Sequence, residues 1–543
     1  MSWPQKGLTT SKSDNGSSLG INTGNSVTIP DGSFGNLKLR SEFMVFKRSA
    51  VLALKTLNAG AFISFLEEFA IPPDIVRAQI GVENASPTAA PQIRCSIGFS
   101  EVAGDPAQPL NTLVVGGVPS STAGAWSQMG INGNTAPALL ARAGASLNKP
   151  PITWFDPYDI PSLPRTDAGR TMRVMKVILE IGGYISGIAT TTQYTAQVAS
   201  AGITGWEQDT DLSAPPYGNF WRTRSQAVAG GIDPTTLTST VADNGATNYH
   251  AAIVIRLWPK SGKCFQVVIG PGDSTLEASG DTLDKYGAVY RALHKLQNSS
   301  LPIGICNIAQ AGTSPSNWRD MASIYLPEVP NSMVLTSNMS PNVGAPLGNA
   351  VRAATIVSAG VGGTPGAATL TGTTGTGTPF QIAATIGAGG SVTALGAVTV
   401  PGNYSVLPAV IASEPVTGGG LTGCTLSLSF IGPNMQLALG AVAGVKGIAD
   451  QYGCGVVTVT CLPSNTAGKN WLGSDPMRIA INTASMQSNE PCIDYAATLS
   501  GSLVGNQVQF QVGTTTDQLH PNATGYAKAE AEAFTPFFKK FMG

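Results

Sequence analysis

The chain has 543 residues, a formal net charge of −1 and only 12% charged residues, about half the share of an average soluble domain. So balanced a chain offers no field for nucleic acid or an anionic membrane surface, and it holds no apolar run of about 18 residues that would predict a membrane-spanning helix. A chain of this length predicts roughly two to four domains with room for large cores.

Residues 1–40 are polar, rich in Gly, Ser and Asn, and without periodicity, which predicts an extended arm or tether. Their opening, MSWPQKGLTTSKSDNGSSLG, lacks the basic-then-apolar order of a secretion signal, so export by the usual route is not expected. From 41 to 262, apolar runs such as EFMVFKRSAVLALKTL, QIRCSIGFSEVAG, TMRVMKVILEIGGYISG and YHAAIVIRLWP alternate with Gly, Pro, Asn and Asp clusters. Strands with no long helical segment between them predict an antiparallel, jelly-roll-like β-sandwich.

After 263 the order becomes strand, helix, strand, helix: CFQVVIG, TLDKYGAVYRALHKLQN, PIGICNIAQ, PSNWRDMASIYL and NSMVLTSN. That alternation predicts a parallel sheet covered by helices, with its ligand site at the carboxyl ends of the strands. Residues 350–432 interrupt it with a Gly- and Thr-rich, almost uncharged stretch whose Val, Ile, Leu and Phe recur at strand spacing, which predicts a small inserted β-domain. The alternation resumes over 433–543, so one α/β domain is assigned to 263–349 and 433–543. Its last helix starts at Pro521 or Asn522, with Tyr526, Ala529, Ala533, Phe537 and Phe541 on one face, and Pro536 is expected to bend or interrupt it.

The seven cysteines are scattered, mostly in apolar runs, and form no CxxC pair. Buried free thiols are expected, and a zinc knuckle or thioredoxin-like site is not.

Chemistry concentrates where the first α/β strand ends, in VVIGPGDSTLEASG, with Ser274 between a glycine turn and a helix start. A serine hydroxyl needs a base, a group that orients the base, and donors for the oxyanion. Of the three histidines, His250 and His294 read as ordinary surface or half-buried residues. His520, in TTTDQLHPNATGY, has Asp517 three residues before it; that spacing lets the carboxylate turn back onto one imidazole nitrogen while the other stays available. The alternative for this pair is a polar loop with Asp517 as a cap and His520 exposed. Asp273 reads as a structural residue of the turn. Ser274 lacks the second glycine of a G-x-S-x-G elbow, and no H-E-x-x-H, P-loop or strand-borne G-x-G-x-x-G occurs, which disfavours the common α/β-hydrolase, zinc peptidase, NTPase and dinucleotide readings.

These blocks resemble the SGNH or GDSL hydrolases. Gly272-Asp273-Ser274 is similar to that family's nucleophile motif, and Asp517 with His520 and the following Pro-Asn to its last block. The resemblance implies an α/β/α hydrolase domain in which Ser274, Asp517 and His520 are catalytic, and an oxyanion hole formed by the N–H groups of Ser274 and Gly312 and the side-chain amide of Asn342. Asn338 is the runner-up for the amide, since Ser-Pro replaces the usual Gly-Thr before Asn342. No cofactor or metal is implied.

Accretion of β-modules around such a domain resembles phage tail spikes and tail fibres, made in the host cytoplasm and carried on the virion. The expected activity is then O-deacetylation of a bacterial surface polysaccharide, with other tail proteins and further copies of the chain, as a trimer, as possible partners. A bacterial carbohydrate esterase or lipase-like enzyme unrelated to phage, and a non-catalytic adhesin or structural spike, are the alternatives.

Overall fold

The computed structural model describes residues 41–47, the strands of 52–251 named below with their short flanks, and 253–281, 287–297, 301–343, 350–430, 433–465, 475–488, 490–504 and 507–542. The arm assigned to 1–40 lies outside the described residues. What is described is a mixed sheet-and-helix architecture with several sheets.

Among the described residues of the first half, two large antiparallel sheets stand beside a three-stranded sheet (Leu52–Leu57, Tyr194–Ala199, His250–Ala251) and a two-stranded one (Leu113–Val115, Val118–Ser120). One large sheet runs in the order Met44–Phe46, Ile253–Pro259, Ile75–Glu83, Ile152–Trp154, and the other in the order Phe220–Ala229, Ala61–Ile71, Arg173–Gly182, Gln92–Ser100, Ser127–Met129. Alternate residues point to opposite faces of a strand, so Met44, Phe46, Ile80 and Ile255 from the first sheet meet Ile93, Cys95, Met175 and Val177 from the second in one buried core.

Five parallel strands form the sheet of the second half: β1 (Phe265–Ile269), β2 (Ile303–Asn307), β3 (Met333–Ser337), β4 (Gly455–Val459) and β5 (Cys492–Ile493), in the spatial order β2-β1-β3-β4-β5. β1 to β4 read as near-continuous apolar runs because helices cover both faces. The helices are α1 (Ser274–Glu277), α2 (Gly287–Leu296), α3 (Pro315–Tyr325), α4 (Pro433–Gln451), α5 (Asp475–Gln487), α6 (Tyr495–Leu499), α7 (Ala523–Ala529) and α8 (Thr535–Met542). On one face, Val267, Ile305 and Leu335 pack with Leu293, Tyr526, Phe534 and Phe537; on the other, Val268, Cys306 and Val334 pack with Trp318, Met321 and Val445. A doubly wound sheet of this order places ligands outside the carboxyl ends of its strands, where the order reverses beside β1.

The two halves are joined by a strand with one face in each. Val45, between Met44 and Phe46, packs with Val254, Val268 and Ile308 on the α/β side. Its backbone is read by the buried amide of Gln266, which donates to Val45 O at 3.0 Å and accepts from Val45 N at 2.6 Å. One residue on, Lys47 N donates to Ile305 O at 3.1 Å and Asn307 N to Lys47 O at 2.7 Å, adding a parallel bridge to the edge of β2. Gly304 is required there, since a Cβ would stand 2.1 Å from Gln266 Oε1 and 2.9 Å from Val45 N.

Between β3 and α4 the chain forms a six-stranded sheet: Val351–Val361, Thr422–Phe430, Glu414–Thr417, Gly366–Gly372, Gln381–Ile386, Val392–Val400. Its core holds Leu370, Phe380, Ile382, Tyr404, Leu426 and Phe430. The buried Glu414 carboxylate accepts from Thr373 N and Thr374 N, each at 2.8 Å.

The last helix is interrupted at Pro536 as expected: a π turn over Glu530–Phe534 separates α7 from α8 and widens the backbone just where the proline lacks an N–H. One local expectation needs amendment. His294, expected at or near the surface, is 6% exposed against the ring of Tyr290. The seven cysteines are free and buried.

Candidate active site

The site is built from three strand ends and one late loop. After β1 the chain turns sharply through Gly270, whose φ of +105° lies outside the range of side-chain-bearing residues; a Cβ there would also meet Ala309 N at 2.7 Å. Successive groups of this turn are held from neighbouring strands: Gly270 N donates to Leu335 O at 2.7 Å, Thr336 Oγ1 to Pro271 O at 2.8 Å, and Gln310 N to Gly272 O at 3.0 Å. Thr313 Oγ1 also reaches Gly272 O at 3.0 Å and Gln310 O at 2.7 Å. Asp273 then caps α1, its Oδ1 accepting from Thr275 N at 2.9 Å and Thr275 Oγ1 at 2.7 Å, as a helix N-cap does. It is thus a structural residue of the turn. Ser274 begins α1 with 5% of its surface exposed.

His520 arrives from the loop before α7, whose N-cap is Asn522. Gly280, at φ +92°, lets this loop close on α1: a Cβ there would stand 3.1 Å from His520 Cβ and 3.0 Å from Pro521 O. His520 Nε2 lies 2.8 Å from Ser274 Oγ, and Nδ1 lies 2.6 Å from Asp517 Oδ2. A carboxylate can only accept, so Nδ1 carries the proton of the neutral ring and Nε2 is left to accept from the serine hydroxyl. Asp517 Oδ1 takes Leu519 N at 2.9 Å and His520 N at 2.7 Å. Partial burial works to raise the Asp517 carboxyl, but the His520 N–H, the imidazole and the Leu519 N–H outweigh it, and the net shift is below the ordinary aspartate value.

Gly312 and Asn342 stand on the loops after β2 and β3. Gly312 has φ +78°, is exposed, and would carry a Cβ into open space. Asn342, in the Pro341–Val343 turn, donates from Nδ2 to Thr313 O at 2.9 Å, so the two loops are tied beside the serine turn through Thr313. One Nδ2 proton is spent on that carbonyl and the amide has a second. Asn338 is engaged elsewhere: it is 3% exposed, donates to Asn482 Oδ1 and Ser485 Oγ at 3.0 Å each, and accepts from Cys461 N at 3.0 Å.

The other histidines lie apart from this constellation. Burial pushes the His294 imidazole down to about 3, and His250 lies in the short strand His250–Ala251 of the first half. Among the described residues no group of three His, Cys, Asp or Glu is placed to hold a metal ion, and no helix is long and apolar enough to cross a membrane.

No family model and no curated protein matches this chain. Solved structures that resemble it include a presumptive acylhydrolase from Bacteroides fragilis, at 12% identity and a TM-score of 0.27, covering 52% of this chain and 90% of that one. Another is a Bacillus subtilis protein, at 9% identity and a TM-score of 0.29, covering 88% of this chain and 81% of that one. At TM-scores of 0.27 and 0.29 neither likeness decides an activity.

Proposed function

We propose that the protein is a serine ester hydrolase of the SGNH type. The observation that supports this best is the relay from Asp517 Oδ2 through His520 to Ser274 Oγ, with steps of 2.6 and 2.8 Å, standing beside the strand ends where a doubly wound sheet binds its ligand. Ser274 Oγ attacks the ester carbonyl carbon while its proton passes to His520 Nε2. The tetrahedral oxyanion is met by the N–H groups of Ser274 and Gly312 and the second amide proton of Asn342. Collapse returns the proton from Nε2 to the leaving alkoxide and leaves acyl-Ser274; water, deprotonated by the same nitrogen, then releases the acid. Asp517 holds the ring in the tautomer that accepts from serine.

The substrate class we propose is a small acyl ester on a bulky carrier, an O-acetylated bacterial surface polysaccharide, acted on by a phage tail spike or fibre. What supports it is an open approach, with Gly312 at the surface and free space in front of it, and β-rich modules before and within the α/β lobe. Hydrolysis of p-nitrophenyl acetate by the full chain tests the reaction: Ser274→Ala is expected to lose activity by several orders of magnitude with its melting temperature kept. A native protein without turnover would leave the adhesin reading. Release of acetate from host polysaccharide tests the substrate.

A further inference from the structure

We propose that Thr515 is a positioning residue for His520, whose hydroxyl holds the turn that aims the imidazole at Ser274; this role rests on the hydrolase reading above. The turn lies on the solvent side. Thr516, Asp517 and Gln518 are exposed, and only Leu519 and Pro521 between 515 and 521 are buried, so hydrogen bonds carry more of its shape than packing does.

Thr515 Oγ1 makes the contacts that close it. It donates to His520 O at 2.7 Å and accepts from Gln518 N at 3.0 Å. Asp517 Oδ1 is also within 3.3 Å, but the hydroxyl has a single proton and the nearer carbonyl takes it. The segment between these bonds does not hold itself. Gln518 has φ +59°, the left-handed region that a residue with a side chain adopts only under constraint. Its N–H is pinned by Thr515 and its carbonyl by Asn465 N at 2.8 Å. That conformation turns Leu519 N and His520 N back onto Asp517 Oδ1, and so sets the angle at which Asp517 Oδ2 meets Nδ1.

Replacing the hydroxyl by a methyl group of similar size leaves Gln518 N and His520 O without this partner. Gln518 then relaxes toward negative φ, and the ring loses its fixed approach to Ser274. The backbone bridge between Thr515 and Pro521 needs no side chain and keeps the base of the loop.

The test compares Thr515→Val and Thr515→Ser in the full chain by steady-state hydrolysis of p-nitrophenyl acetate and by the low-field proton resonance of the imidazole Nδ1–H bonded to carboxylate. With three histidines in the chain, His520→Gln assigns that resonance. Thr515→Val is expected to lower kcat roughly 10- to 100-fold, the scale of a misplaced catalytic group, with KM within about twofold, and to lose the resonance. Thr515→Ser is expected to restore both. A resonance indifferent to Thr515→Val, or a serine variant as impaired as the valine one, overturns the proposal. If the wild type shows the resonance but turns over no ester, the hydrolase reading falls while loss and recovery of the signal still supports the positioning role. A wild type without the resonance overturns the positioning role, while Ser274-dependent turnover alone decides the hydrolase reading.

Discussion

His520 Nε2 stands 2.8 Å from Ser274 Oγ although 246 positions separate the two residues in the chain. Neither side chain has freedom to bring this about alone. Ser274 is fixed by a turn whose groups are held from β2 and β3, and His520 by a loop that folds back on its own carboxylate and rests on Gly280. Preorganisation of this kind is what a serine nucleophile needs, since the hydroxyl is a poor one without a base already in place.

The two asparagines after β3 separate by the effect of their loss. Asn342→Ala is expected to reduce kcat by about 10²- to 10³-fold, the measured scale for one oxyanion donor, with little change in melting temperature because the residue is only partly buried. Asn338→Ala instead removes one partner each from the buried Cys461 N and Asn482 Oδ1, which still bond each other at 3.0 Å, and is expected to destabilise by about 0.5–1.5 kcal/mol per hydrogen bond lost. Calorimetry and kinetics on the two variants check the assignment; the reverse pattern would move the donor to Asn338.

His294 makes stability depend on acid. Its folded value, about 3, lies below the ordinary 6.5. Between the two the unfolded chain binds a proton that the native state refuses, so stability rises with pH across that window and falls on acidification, by up to about 1.4 kcal/mol per pH unit. His294→Leu, which needs no proton on unfolding, is expected to lose less melting temperature between pH 7 and pH 5 than the wild type. Parallel losses would contradict the buried neutral imidazole.

Gly270→Ala tests the nucleophile turn. The substitution asks an alanine to take φ +105° and places its Cβ 2.7 Å from Ala309 N, a backbone atom past the end of β2 that donates to Ile269 O at 3.0 Å. A cost of roughly 1–3 kcal/mol is expected from the strained dihedral alone, together with a fall in kcat as Ser274 shifts. An alanine variant with native melting temperature and turnover would show that the turn adapts.

Much of this site was legible because its signals are local. A serine following Gly-Asp at a strand end, and an aspartate three residues before a histidine, are patterns whose geometry is nearly set by spacing, and the alternating strands and helices from 263 onward follow hydrophobic periodicity. What held the groups in place was not legible. Thr336, Thr313, Thr515 and Asn465 act through single hydroxyls, amides or backbone groups whose partners are chosen by tertiary placement, and nothing in a threonine's neighbours in sequence marks it as a clamp. The same applies to Gln266 and Lys47, which join the two halves across more than two hundred residues. His294 was misjudged for a related reason: the lysine beside it points outward, while His294 shares the inner face of α2 with Tyr290, four residues earlier.

The claim that Ser274 is a nucleophile activated by His520 is tested most directly by treating the full chain with a fluorophosphonate and locating the adduct by peptide mass spectrometry. The account predicts one adduct, on Ser274, formed quickly in the wild type and lost in His520→Ala at unchanged folding. A reagent that leaves Ser274 unmodified, or that labels it equally well without the imidazole, would contradict it.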